Sequence, residues 1–169
     1  MRDVAGHLIA STQLPQLSFC NHLAKARFSF NRMIEADVKR FSSDEPSGFA
    51  AQMRSGALRR NHPPGPVTAM LGEAVVHGED VRRPLGVKRE YPSETLVMVA
   101  DFYKGSNLLL GARRRISGLR LEATDATWTS GDGLEVTGTL LSLILAMTGR
   151  RRAYADLAGE GSATLAARP

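Results

Sequence analysis

Glu73 and His77 stand four residues apart in the stretch LGEAVVHGEDVRRPLG, residues 71–86. In a helix that spacing sets two side chains on one side, about 40° apart around the axis and roughly 6 Å apart along it. A carboxylate on the inner side of a helix is costly unless a cation or hydrogen bonds compensate it. Carboxylate oxygen and neutral imidazole both suit zinc, so a divalent ion would compensate it directly. Two ligands on one helix do not close such a site. His7, which falls between Val4 and Ser11 on one side of an N-terminal helical pattern, is placed to be the third. Three protein ligands with one position left open is the arrangement of a catalytic zinc. The pair could instead hydrogen-bond across one helical turn, and His7 could be an ordinary half-buried histidine.

Asp80 follows His77 by three residues, within reach of its second ring nitrogen, where a carboxylate commonly holds a metal-bound imidazole. Arg82 and Arg83 could bind a substrate carboxylate, although arginines near a helix C-terminus are also favourable for plain electrostatics. His22, just ahead of a core leucine, and His62, in the loop NHPPGP, are left outside the site. Cys20 has no local base and is expected to be a small core residue. GDG and GEG do not match a phosphate-loop pattern and read as turns.

The elements that must position these groups follow from apolar periodicity. A first helix is expected from Arg2 to about Leu14, ending before Pro15. A second runs from a cap at Ser18 to about Arg40, with Leu23, Ala26, Phe30, Met33, Ile34 and Val38 in period. SSDEPSG breaks the chain, and a helix with Pro46 near its first turn continues to about Arg60. NHPPGP precedes the helix from Val67 to about Val81, whose inner face should hold Met70, Ala74 and Val81 beside Glu73 and His77. RRPLGVKREYP is a loop, and Ser93 to Tyr103 a further helix.

The texture changes after Gly111. ISGLRLEAT alternates as a half-buried strand, TWTSGDGLEVTG reads as a turn between short strands, and Thr139 to Met147 is an apolar helix closed by Gly149. GEGSATLAA is expected to add a last short strand. The reading is α+β: a helical domain over residues 1–110 followed by a small α+β domain over residues 111–169.

Composition limits the function classes. The chain has 169 residues, 43% of them hydrophobic and only 6% aromatic, so Ala, Leu, Val, Ile and Met must build most of the core. No apolar run is long enough for a membrane span, and MRDVAGHLIAST lacks the layout of an export signal, so a cytoplasmic protein without membrane contact is expected. One cysteine excludes a disulfide framework within the chain and a CxxC metal knuckle. The net charge of +5 is spread over both parts of the chain. Its clusters, Arg113–Arg115 and Arg150–Arg152, sit on no nucleic-acid recognition motif, so no nucleic-acid partner is expected.

RDVAGHL at 2–8 and PPGPVTAMLGEAVVHGEDVRRPLG at 63–86 closely resemble the mycothiol-dependent maleylpyruvate isomerase family, itself similar to DinB and its bacillithiol-transferase relatives. GARRRISGLRLEATDATWTSGDG and LLSLILAMTGR look like that family's small C-terminal region. The resemblance implies a DinB-like helical bundle whose divalent metal, usually zinc, is held by His7, Glu73 and His77. It further implies mycothiol, a low-molecular-weight thiol, used as a thiolate on a small electrophilic substrate for isomerisation or S-transfer. Asp80, Arg82 and Arg83 are then the candidate catalytic residues, orienting thiol or substrate. Members of the family carry a further helix and a CPGW-like turn before the RDVxxHL segment, whereas this sequence opens at Met1-Arg2-Asp3. A bundle lacking that helix would expose apolar surface, which a homodimer could cover. Two other functions use the same features: a non-catalytic metal-binding or regulatory domain, and a hydrolase built on zinc-bound water.

Overall fold

The computed structural model describes residues 9, 16–27, 29–41, 48, 51, 54–55, 65–107 and 111–168. The chain divides into two compact units, Met1–Lys88 and Arg89–Pro169. Taken in order, they make a mixed α+β fold in which a helical region is followed by a small three-stranded sheet. No helix among the described residues is long and apolar enough to cross a membrane.

In the first unit the described helices are α1 (Gln16–Lys25), α2 (Phe30–Phe41) and α3 (Val67–Arg82), the last running into a 3-10 turn at Arg83–Leu85. The single helix expected from Ser18 to Arg40 is therefore two helices, and the first begins ahead of Ser18. The Ala26 amide still donates to the His22 carbonyl at 2.9 Å, but Arg27 turns back to Ala24 at 3.0 Å with φ +54°. That left-handed conformation costs a non-glycine residue roughly 1–2 kcal/mol. Because no Gly or Pro marks the turn, the apolar period runs across it without a sign. Cys20, expected in the core, lies exposed on α1. One small thiol buries too little area to decide which face a helix presents. The helices expected over residues 2–14 and 46–60 fall mostly outside the described residues. Ile9, Gly48, Ala51, Arg54 and Ser55 are helical, and Ile9 is fully buried.

The α3 helix starts directly after Pro66, in extended conformation, and is stopped by Pro84 and by Gly86 at φ +67°. Its buried residues are Gly72, Val75, Val76 and Glu79. This corrects the expected inner face: Ala74 is exposed, while Met70 and Val81 are half-buried. Apolar residues nearly encircle this helix, so their spacing selects no face. Burying Val75 and Val76 removes more apolar area from water than burying Ala74.

The second unit contains α4 (Ser93–Gly105), α5 (Ala112–Arg115), β1 (Leu119–Ala123), β2 (Thr129–Ser130), β3 (Leu134–Gly138), α6 (Leu140–Met147), a 3-10 stretch (Arg151–Asp156) and α7 (Ser162–Ala166). The central strand is β1. It pairs antiparallel with β2, Leu121 opposite Ser130, and parallel with β3 from Leu119–Leu134 to Ala123–Gly138. Leu119 and Leu121 are buried and Arg120 is exposed, as the alternation requires. On the outer face Arg120 reaches Glu122 at 2.6 Å and Glu135 at 3.3 Å. Gly133, at φ +124°, has the Gly118 carbonyl where a Cβ would sit, so GDG is a turn that only glycine fits.

The core of this unit is α6. Leu140 and Leu143 through Met147 are at most 1% exposed, and a helix apolar all round belongs inside. Its N-terminus is closed by Thr139 Oγ1, which accepts from the Ser142 amide, and by Asp125 Oδ1, which accepts from the Leu140 amide at 2.7 Å. At the other end the Arg150 amide donates to Leu145 and the Gly149 amide to Ala146, with Gly149 left-handed. The Arg115 guanidinium adds a bond to the Met147 carbonyl at 2.8 Å. Packed against α6 is α4, through a face that buries Leu96, Val99, Ala100 and Tyr103. Trp128, also buried, donates from Nε1 to Asp101 at 3.0 Å, and Lys104 lies 2.6 Å from the same carboxylate. Lys104 first, then Trp128, holds the Asp101 carboxyl below the usual carboxylate range.

The strand expected from GEGSATLAA is not formed. Ala158 makes one isolated bridge with Thr137, the chain turns at Gly159, and Ser162–Ala166 is helical with Leu165 fully buried. Ala and Leu have the strongest helix preferences, and one buried leucine anchors the turn.

Candidate functional site

Helix geometry brings three of the candidate residues together. His77 Nε2 lies 3.0 Å from Glu73 Oε2, and His77 Nδ1 lies 2.9 Å from Asp80 Oδ2. Around the α3 axis the three span about 60°, on the flank of the buried stripe. Their side chains are neither core nor free surface: 17% of His77, 23% of Asp80 and 33% of Glu73 is exposed. Partial burial lowers the screening around a carboxylate and so strengthens its attraction for a cation.

The imidazole thus has an acidic oxygen at each nitrogen. A neutral ring carries one N–H and one lone pair, and both nitrogens donate only in the imidazolium form. With Asp80 taking the proton on Nδ1, the lone pair faces Glu73, and a cation can take the place between Nε2 and Oε2. Two donors, each about 2.1 Å from one tetrahedral ion, stand about 3.4 Å apart. The observed 3.0 Å is within a few tenths of an ångström of that spacing, a shift one carboxylate rotamer supplies. The pair therefore fits two positions of a divalent site. Among the described residues no group of three or more His, Cys, Asp and Glu side chains is placed to hold a metal ion. His7, the expected third ligand, lies outside the described residues, as does His62. His22 is on α1.

Arg82 and Arg83 belong to a second cluster on the same helix. Both face Glu79: Arg82 Nη1 is 3.6 Å from Oε1, and Arg83 Nε is 3.7 Å from Oε2. Glu79 is 5% exposed and on the buried stripe, whose centre is about 150° around the axis from His77. A carboxylate this buried calls for cations, and the two arginines supply them. The guanidinium of Arg82 lies back over Gly78, where a Cβ would collide with it. Glu79 is a residue that the spacing arguments above passed over. Its signal was present, since an acid three and four residues ahead of two bases is the favourable order on a helix.

No family model, no curated protein and no solved structure matches the chain.

Proposed function

We propose that the chain is a metal-dependent, thiol-using enzyme of the DinB-like, mycothiol-dependent class, in which Glu73, His77 and His7 hold one divalent ion, zinc by donor type. Mycothiol is the proposed cosubstrate, and the acceptor is a small electrophile that undergoes isomerisation or S-transfer. The observation that supports this reading is the line Glu73–His77–Asp80, in which one ring nitrogen is held and the other faces a carboxylate. When bound, zinc lowers the pKa of a coordinated thiol and so favours its thiolate.

The residues of the chain then divide the work. Asp80 holds the His77 ring by its Nδ1 proton and fixes the direction of the Nε2 lone pair. Glu73 contributes negative charge that offsets the ion. Arg82 and Arg83 face Glu79 on the side of α3 away from His77, so their work in this reading is to offset that buried carboxylate.

The exposed third of Glu73 favours a second reading, a domain that keeps these groups as a hydrogen-bonded surface chain without turnover. Zinc-water hydrolysis uses the same donors and is separated from thiol chemistry by its indifference to added thiol.

The test is the zinc content of the purified full chain beside His77→Ala and Glu73→Gln. The proposal expects about one zinc per chain, lost in His77→Ala, with the emission of Trp128 in the other unit unchanged. A folded wild type that takes up no zinc from solution ends the metal-dependent reading.

A further inference from the structure

Away from α3, the turn joining α1 to α2 opens into a concavity of about 430 Å³. His22, Lys25, Arg27 and Arg32 line it, and Ala26, Met33 and Ala36 supply the apolar part of the lining. Among its described lining residues none is acidic. This volume is at the lower end of what small-molecule sites use, and the mixture of apolar lining and convergent polar groups is typical of them.

Arg27 supplies a second observation. It is left-handed, φ +54°, at the C-terminal end of a helix, a position where glycine is the inexpensive choice. The chain places there a long cation that lines the concavity. A strained residue at the mouth of a pocket is a reason to look for a ligand it serves.

We propose that this turn binds a small organic polyanion carrying two or more carboxylates on a short apolar frame. Arg27 and Arg32 are suited to the carboxylates because a planar guanidinium matches a carboxylate in two parallel hydrogen bonds. Lys25 adds a point charge. Met33, 4% exposed, and Ala36 lie under the frame, an environment that a bare inorganic anion does not use. The proposal does not depend on the metal site, since none of these residues belongs to it.

The probe is benzene-1,2,4-tricarboxylate, titrated calorimetrically into the full chain at constant ionic strength, with pyrophosphate of similar charge as comparison. One site per chain is expected, with affinity about tenfold above that for pyrophosphate. Arg27→Gly should weaken binding about fivefold or more while the melting temperature stays equal or rises, because glycine relieves the left-handed turn. Arg32→Ala, at an exposed helix position, should weaken binding by a similar factor independently of the turn. Absence of saturation up to about 10 mM, equal affinity for pyrophosphate, or unchanged binding in both variants would overturn the proposal.

Discussion

Replacing Asp80 by alanine separates a metal ligand held in place from a histidine that merely touches two acids. Asp80 Oδ2 is 2.9 Å from His77 Nδ1, the length of a charge-assisted bond. Its side chain is 23% exposed, so water partly screens the contact. Removing the carboxylate that orients a ligating histidine lowers metal affinity about 10- to 100-fold. Partial exposure points to the lower end, about tenfold, which is roughly 1.4 kcal/mol. Asp80→Asn keeps an acceptor oxygen for the Nδ1 proton and should lose about threefold or less. The assay is competition for zinc with a chromophoric chelator at one fixed pH, because ligand protonation makes the affinity pH-dependent. Equal zinc affinity in wild type and Asp80→Ala would refute the idea that Asp80 sets the ring. Loss of binding equal to that of His77→Ala would refute it differently, by making Asp80 itself a ligand.

Trp128 is the one tryptophan in the chain, so its emission reports on the second unit in urea titrations. Leu143→Ala, at a fully buried position of α6, should lower the stability of that unit by about 2–5 kcal/mol; a loss below about 1 kcal/mol would mean that α6 is not its core. Gly149→Ala forces a side chain into φ +81° with its Cβ 3.1 Å from the Arg115 guanidinium, and about 1–2 kcal/mol should be lost. Unaltered stability there would contradict the left-handed closure of α6. The depressed Asp101 carboxyl contributes stability above its unfolded pKa of about 3.9, and this contribution disappears as pH falls through the lower folded value. With 47% of the side chain exposed, the contribution is below about 1 kcal/mol. Asp101→Asn should therefore lower the urea midpoint at pH 6 slightly, by an amount that shrinks as pH falls below the unfolded pKa; a loss that does not change with pH would locate the effect in the contact with Trp128.

Local chemistry alone specifies a good part of this molecule. The stretch from Val67 to Arg82 is bounded by Pro66 on one side and by Pro84 and Gly86 on the other. The i, i+4 and i, i+3 spacings then bring Glu73 and Asp80 to His77 wherever that helix is packed. The alternation around Leu119 and Leu121 and the closure of α6 at Gly149 are equally local, since each depends on a few neighbouring residues.

Tertiary structure decided what these local rules left open. Apolar residues encircle α3, so its own pattern could not say that Val75, Val76 and Glu79 turn inward while Ala74 turns out; the area gained against the rest of the unit selects the face. The reversal at Arg27 is invisible in composition because the chain accepts a left-handed arginine where a glycine would have announced the turn. Residues 162–166 become a helix because Leu165 finds a buried position, whereas the sheet is met only by an isolated bridge at Ala158 and a single bond from the Gly161 amide to the Glu135 carbonyl. Sequence by itself determined which groups meet along one helix, since the pitch of an α-helix is the same wherever it is packed. The face buried, the turn and the last element depend on burial against distant parts of the chain, which no local spacing encodes.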